Sequence, residues 1–218
     1  EARRQGATVV QVNHPFNPYG YFTSLKAGIA PGGFNPGFDL AEINADEAAD
    51  HDKVTHALWS FWNAGHRYYL SGGSDVHDVW NHESGEARTF VHVGGAPTPE
   101  AFAESAKAGH AYVSFGPLIF PSVMFGSELK VKPGASFTLA FALKSVPGLK
   151  QATLIGAGSV VETKAFADAP READADFPLT AVRRAWYSLE VEDAAGQKAY
   201  SDPIWIDVVD NPAAASAD

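Results

Sequence analysis

The chain has 218 residues, enough for one large unit or two small ones with a real core. Hydrophobic residues make up 45% and charged residues 19%, a folded globular composition, and no run approaches the ~18 consecutive apolar residues of a membrane span. A formal net charge of −10 repels a phosphate backbone and argues against nucleic acid, while the lack of cysteine leaves only His, Asp, Glu or water to hold a metal.

Glu1 to Gly6 reads as the last turn of a helix, with basic residues and a capping glycine. The expectation is that an upstream segment precedes it. Thr8 to Asn13 is a β-branched strand ending at Asn13-His14-Pro15, followed by a Gly-, Pro- and aromatic-rich loop from Phe16 to about Gly37. Phe38 to Asn44 is a second strand. Ala48 to Ala64 has Val54, Leu58, Phe61 and Trp62 at helical spacing. Arg67 to Leu70 is a third strand and opens into Ser71-Gly72-Gly73-Ser74-Asp75-Val76-His77-Asp78. Thr89 to Val93 is a fourth. Thr98-Pro99-Glu100 starts a helix running to about Ala108, and Ala111 to Phe115 is a further strand.

After Gly116-Pro117 the helical periodicity stops. Short apolar runs over Ser136–Leu143, Gln151–Ile155, Ser159–Thr163, Trp186–Val191 and Ile204–Val209 alternate with turn residues, the pattern of a small antiparallel β-sandwich. A boundary is expected between Gly116 and Pro121. It divides residues 1–118 from a sandwich domain over 119–210, with 211–218 as a tail.

Three successive strand ends carry polar side chains: His14, then Glu42 and Asn44, then Asp75 and His77. Residues two apart on an extended strand share a face, so Asp75 and His77 can point the same way. If the strands are parallel these ends share one rim, where α/β folds place their working residues. A carboxylate and imidazoles there suit a divalent metal.

These residues resemble a family. Asn13-His14-Pro15, the Asp39–Asn44 strand, Gly72 to His77 followed by Arg88-Thr89-Phe90, and the stretch Ala108 to Pro117 look like the later motifs of the PHP (polymerase and histidinol phosphatase) metallohydrolases, nearest to the CehA/McbA-like branch. The resemblance implies an α/β fold: the C-terminal part of a distorted (β/α)7 barrel, followed by the sandwich. It makes His14, Asp75 and His77 metal ligands for zinc, manganese or iron, with Glu42 and Asn44 lining the pocket. The family's opening His-x-His motif is absent, and His51, His56 and His66 lack its spacing. The chain then corresponds to the later half of such a barrel, with the strand Thr8–Asn13 completed by a missing N-terminal half or a second copy.

The implied activity is metal-assisted hydrolysis of a small phosphate, carboxylic or carbamate ester, weak or absent in this chain alone. His82 and Asp78 are the candidate acid–base residues, and Arg88 the candidate for neutralising an anionic substrate. The phenyl and phenol rings of Phe16, Tyr19, Tyr21 and Phe22 can line a pocket or simply cover the rim. The competing expectation is a noncatalytic β-sandwich module that binds carbohydrate or protein and is attached to an inactive barrel remnant. Its sugar platform would be Trp186, Tyr187 and Trp205, if those rings are exposed. The expectation is a bacterial-type soluble protein, periplasmic, secreted or cytoplasmic, and the lack of cysteine does not fix the compartment.

Overall fold

The computed structural model describes residues 1–44, 49–78, 80 and 83–210. The chain divides into two units, Glu1–Phe115 and Gly116–Asp218.

The first unit contains β1 (Gln11–Val12), α1 (Tyr21–Lys26), β2 (Leu40–Asn44), α2 (His51–Asn63), β3 (Tyr69–Gly73), β4 (Arg88–Val91), α3 (Pro99–Lys107) and β5 (Ala111–Ser114). Strands β1, β2 and β3 form a parallel sheet in that order, with Gln11 opposite Leu40, Glu42 opposite Ser71 and Asn44 opposite Gly73. Asp39 anchors its start. Its carboxylate accepts the Val10 N–H at 2.7 Å and pairs with the Arg3 guanidinium. Val54, Leu58 and Trp62 recur every four residues along α2 and are buried, which is the helical stripe read in the sequence. Trp62 Nε1 donates to the Tyr68 carbonyl at 2.6 Å and fixes the helix end against the entry to β3. Strands β4 and β5 pair antiparallel, and the opposed Phe90 and Tyr112 rings stack at 4.9 Å.

Helix α3 starts where the Thr-Pro-Glu signal puts it. The Thr98 hydroxyl oxygen accepts the Ala101 N–H at 3.1 Å, and Pro99 occupies a position that needs no N–H donor. Thr98→Ala should destabilise the unit by about 1 kcal/mol. A thermal midpoint unchanged by the substitution would show that the cap contributes nothing.

Two expectations are corrected here. The expected α/β barrel portion does not form: β1, β2 and β3 make an open three-stranded sheet, and β1 pairs with β2 alone among the described residues. Strands dominate the chain, and the three α-helices have only six, thirteen and nine residues. Only α2 and α3 have the length to cover a sheet, far short of a helical ring around a barrel. Within the expected loop 16–37, α1 forms because the Pro15 carbonyl accepts the N–H groups of Phe22 and Thr23 at 2.9 and 3.2 Å. Buried Phe22 then packs edge-on to Phe16 and Phe38. The loop's rings are therefore largely a packed cover. The start of the expected helix at Ala48 and the tail 211–218 lie outside the described residues.

The second unit is a β-sandwich. It contains β6 (Leu118–Pro121), β7 (Glu128–Val131), β8 (Ser136–Lys144), β9 (Leu149–Gly156), β10 (Ser159–Ala165), β11 (Glu172–Thr180), β12 (Ala185–Asp193), β13 (Lys198–Ser201) and β14 (Ile204–Val208). One sheet has the antiparallel order β11-β8-β6. In the other, β10, β9 and β12 run antiparallel in sequence. The far side of β12 is shared by β13 and β14, and β7 lies parallel to β14. Alternation sets the core: Leu139, Phe141 and Leu143 of β8 and Ala175 and Phe177 of β11 are buried, as are Ala152 and Leu154 of β9 and Leu189 and Val191 of β12. The rings of Phe141 and Phe177 meet edge-on at 6.1 Å.

The β12–β13 connection is built on a buried carboxylate. Asp193 Oδ1 accepts the N–H groups of Ala195 and Gln197 at 3.0 and 2.9 Å, and its Oδ2 accepts the Ser145 hydroxyl at 2.9 Å.

Candidate functional site

The ends of β1, β2 and β3 bring together most of the polar residues singled out in the sequence. His14 follows β1 and takes a left-handed backbone, φ 44°, as does Asp75 after β3, φ 48°. Non-glycine residues rarely adopt this conformation, and such strain clusters where structure serves a site. Buried Glu42 accepts the His14 backbone N–H on Oε2 at 2.9 Å, and the same oxygen stands 3.6 Å from His14 Nδ1. Asn44 Nδ2 lies 2.9 Å from His14 Nδ1. The other ring nitrogen, Nε2, faces Asp75 Oδ2 at 3.4 Å. Imidazole, two carboxylates and an amide thus form one connected group.

Glycine is required beside it. A Cβ built at Gly73 would sit 2.6 Å from Glu42 Oε1, so a side chain there would displace the carboxylate. Ser71, opposite Glu42 and on the same face, is buried and its hydroxyl has no hydrogen-bond partner among the described residues. His51 was set aside in the sequence for lacking the right spacing. Its Nε2 meets the Asn44 carbonyl at 2.8 Å and its ring stacks on Phe115 at 4.7 Å.

The other candidates stand apart. His77 is exposed and turns back, its Nδ1 2.6 Å from the Asp75 carbonyl and its Nε2 4.0 Å from Asp75 Oδ1. Asp78 Oδ1 accepts the Trp80 N–H at 2.8 Å, a turn contact. Arg88 is exposed at the start of β4. His82 lies outside the described residues.

The residues do not fit the divalent ion that the resemblance implied. The His14 nitrogen on the Glu42 side meets an amide nitrogen, and His77 folds onto the Asp75 carbonyl. Among the described residues no three His, Asp or Glu side chains are grouped to hold one ion. The expected metal-dependent ester hydrolase is corrected with the barrel that was to carry it: the rim has three strands, and among the described residues no ligand shell surrounds a common point.

Tyr19, read in the sequence as a ring that can line a pocket, has a counterpart in Trp80, which was not singled out there. Tyr19 and Trp80 are 93% and 89% exposed. Tyr19 comes five residues after His14 and Trp80 five after Asp75, and those two side chains touch. Each ring follows the same kind of turn: the Asn17 side chain accepts the Tyr19 N–H at 3.0 Å, as Asp78 does for Trp80. Two loops leaving one polar group therefore each present an aromatic ring to solvent. The signal was a Trp in a polar loop directly after the Gly-Gly-Ser-Asp turn.

The sandwich rings behave differently. Trp186 and Trp205 lie opposite each other on β12 and β14 and are 3% and 7% exposed, so they are core and form no sugar platform. Tyr187 is half-buried, and burial raises its phenol pKa, with Arg183 opposing.

No protein-family model matches the chain and no curated protein is detectably similar to it, so the PHP resemblance finds no support there. Solved structures similar to it include fibronectin(III)-like modules of Clostridium thermocellum CbhA, at 12% identity and a TM-score of 0.31, covering 42% of this chain and 95% of that one. The immunoglobulin-like domain of mouse leukocyte-associated immunoglobulin-like receptor 1 matches at 18% identity and 0.31, covering 41% and 98%. Superoxide reductase of Ignicoccus hospitalis matches at 15% and 0.32, covering 43% and 82%. No functional inference rests on likenesses this distant.

Proposed function

We propose that the chain is a noncatalytic binding module that takes a carbohydrate at the strand ends of its first unit. The observation that carries this is the pair of exposed rings, Tyr19 and Trp80, on loops leaving the His14–Asp75 contact. A pyranose presents an apolar face of C–H groups and a periphery of hydroxyls. Exposed aromatic faces suit the first, and the part-exposed Asp75 and His14 supply acceptors and donors for the second. A preformed, strained backbone at His14 and Asp75 keeps those groups oriented before a ligand arrives.

Covering one ring face removes roughly 60–80 Å² of apolar surface, or about 1.5–2 kcal/mol at ~25 cal/mol/Å². Affinity electrophoresis against soluble β-glucan, xylan, mannan and chitosan should show retardation by at least one polymer. Trp80→Ala should weaken it ten- to thirtyfold, by about that free energy, and Tyr19→Ala comparably. Absence of retardation by all four, or retardation indifferent to both substitutions, overturns the proposal.

A further inference from the structure

We propose that β10 is a self-recognising edge, by which two copies of this chain pair their β10 strands antiparallel about Thr163 and join their sheets. Strand β10 pairs with β9 on one side and with nothing on the other among the described residues. Its register slips between Val160 and Glu162, and Val160 and Val161 are 63% and 45% exposed. The bulge limits regular pairing to Glu162–Ala165, and the exposed valines beside that open edge favour the addition of a strand.

The charges decide which strand. Glu162 and Lys164 lie two apart on one face and pair at 2.8 Å. That face points into the sandwich: Glu162 stands opposite Leu154, and the Lys164 ammonium lies 5.3 Å from the buried Phe177 ring. Charges directed inward on an edge normally guard it, because a newcomer strand would strip water from them and offer no counter-charges of its own. One newcomer escapes this penalty. With a two-fold axis at Thr163, Glu162 faces the partner's Lys164 and Lys164 faces the partner's Glu162. Val161 then meets the partner's Ala165. The same arithmetic forbids the β11 edge of the other sheet. Strand β11 carries Glu172, Asp174 and Asp176 outward, so antiparallel pairing about Ala175 would set Asp174 against the partner's Asp176. Pro178 also removes a donor from that strand. The β11 edge therefore repels its own copy and the β10 edge attracts it.

The test is sedimentation equilibrium of the full chain from micromolar to millimolar concentration, with thermal unfolding as a check of fold. The wild type should show a concentration-dependent monomer–dimer equilibrium. Glu162→Lys alone, or Lys164→Glu alone, sets like charges opposite each other twice across the axis and should weaken dimerisation by about tenfold or more. The double exchange E162K/K164E restores both the internal pair and the cross-axis pairs, and should recover the dimer. A wild type that stays monomeric throughout overturns the proposal. So does a dimer indifferent to the single reversals, or one that the double exchange fails to restore in a folded protein.

Discussion

Asp193→Ala should be among the most damaging single substitutions in the sandwich, costing about 2–4 kcal/mol and lowering the urea midpoint by about 1–2 M. The carboxylate is fully buried and accepts three hydrogen bonds, from the N–H groups of Ala195 and Gln197 and from the Ser145 hydroxyl. Alanine deletes both acceptor oxygens, strands the buried Ser145 hydroxyl, and frees the Ala195 and Gln197 N–H groups of the exposed turn from the contact that orders it. An unpaired buried donor costs ~1–3 kcal/mol. Asp193→Asn keeps one oxygen for the two backbone donors, and the Ser145 hydroxyl can rotate to accept from the new amide. The asparagine variant should therefore lose less than half as much. Equal losses in the two variants would mean that the negative charge, and not the acceptor count, stabilises the turn.

Gly148→Ala is expected to cost about 3–4 kcal/mol for a different reason. Gly148 has φ +98°, and a Cβ there would lie 2.1 Å from the Ala169 carbonyl oxygen. The neighbour is backbone and cannot rotate away. To make room, the Ala169 segment must shift, and the Leu149 N–H to Pro170 carbonyl bond beside it, now 2.8 Å, must lengthen. The left-handed backbone adds ~1–2 kcal/mol. Gly134→Ala isolates that second contribution, since Gly134 has φ +75° with nothing within 4 Å of the added Cβ. Its loss should be near 1 kcal/mol. Thermal denaturation of the pair separates them, and similar losses would show that the clash at Gly148 relaxes without penalty.

The parts of this fold legible in the sequence were those with strong alternation or strong caps. The run Ser136–Leu143 places Leu139, Phe141 and Leu143 on one face, and it is the central strand β8. Thr98-Pro99-Glu100 marked the start of α3. Strand β11 was missed because its inward residues are Ala173, Ala175, Phe177 and Leu179, two of them alanines, and its outward ones are acids and a proline. Such a strand has the right period but little hydrophobic amplitude, and only its neighbour β8 makes it a strand. Strands β6 and β13, of four residues each, are too short for a periodicity to register. At the candidate site, the sequence marked His14, Glu42, Asn44 and Asp75 because polar residues after apolar strands are conspicuous. It did not reveal which atoms they offer one another. The Asn44 amide against the His14 ring, and His77 folded onto the Asp75 carbonyl, depend on loop geometry that no spacing encodes.

The pairing of β7 with β14 has a consequence for how the sandwich is made. Strand β14 lies between β12 and β7, so Leu129 waits for Ile206 before it has a neighbour. During synthesis, β7 emerges early and its partner arrives only when nearly the whole unit has left the ribosome. At ~5–20 residues per second, that leaves several seconds in which β7 has no partner and Trp186 lacks the Trp205 ring that covers it. Closing so long a loop also slows the final step, since distant contacts form only after the chain has lost the entropy of meeting. The last strand acts as the latch of the sandwich, and a nascent chain halted before Ile204 should be the form of this protein most exposed to chaperones and proteases.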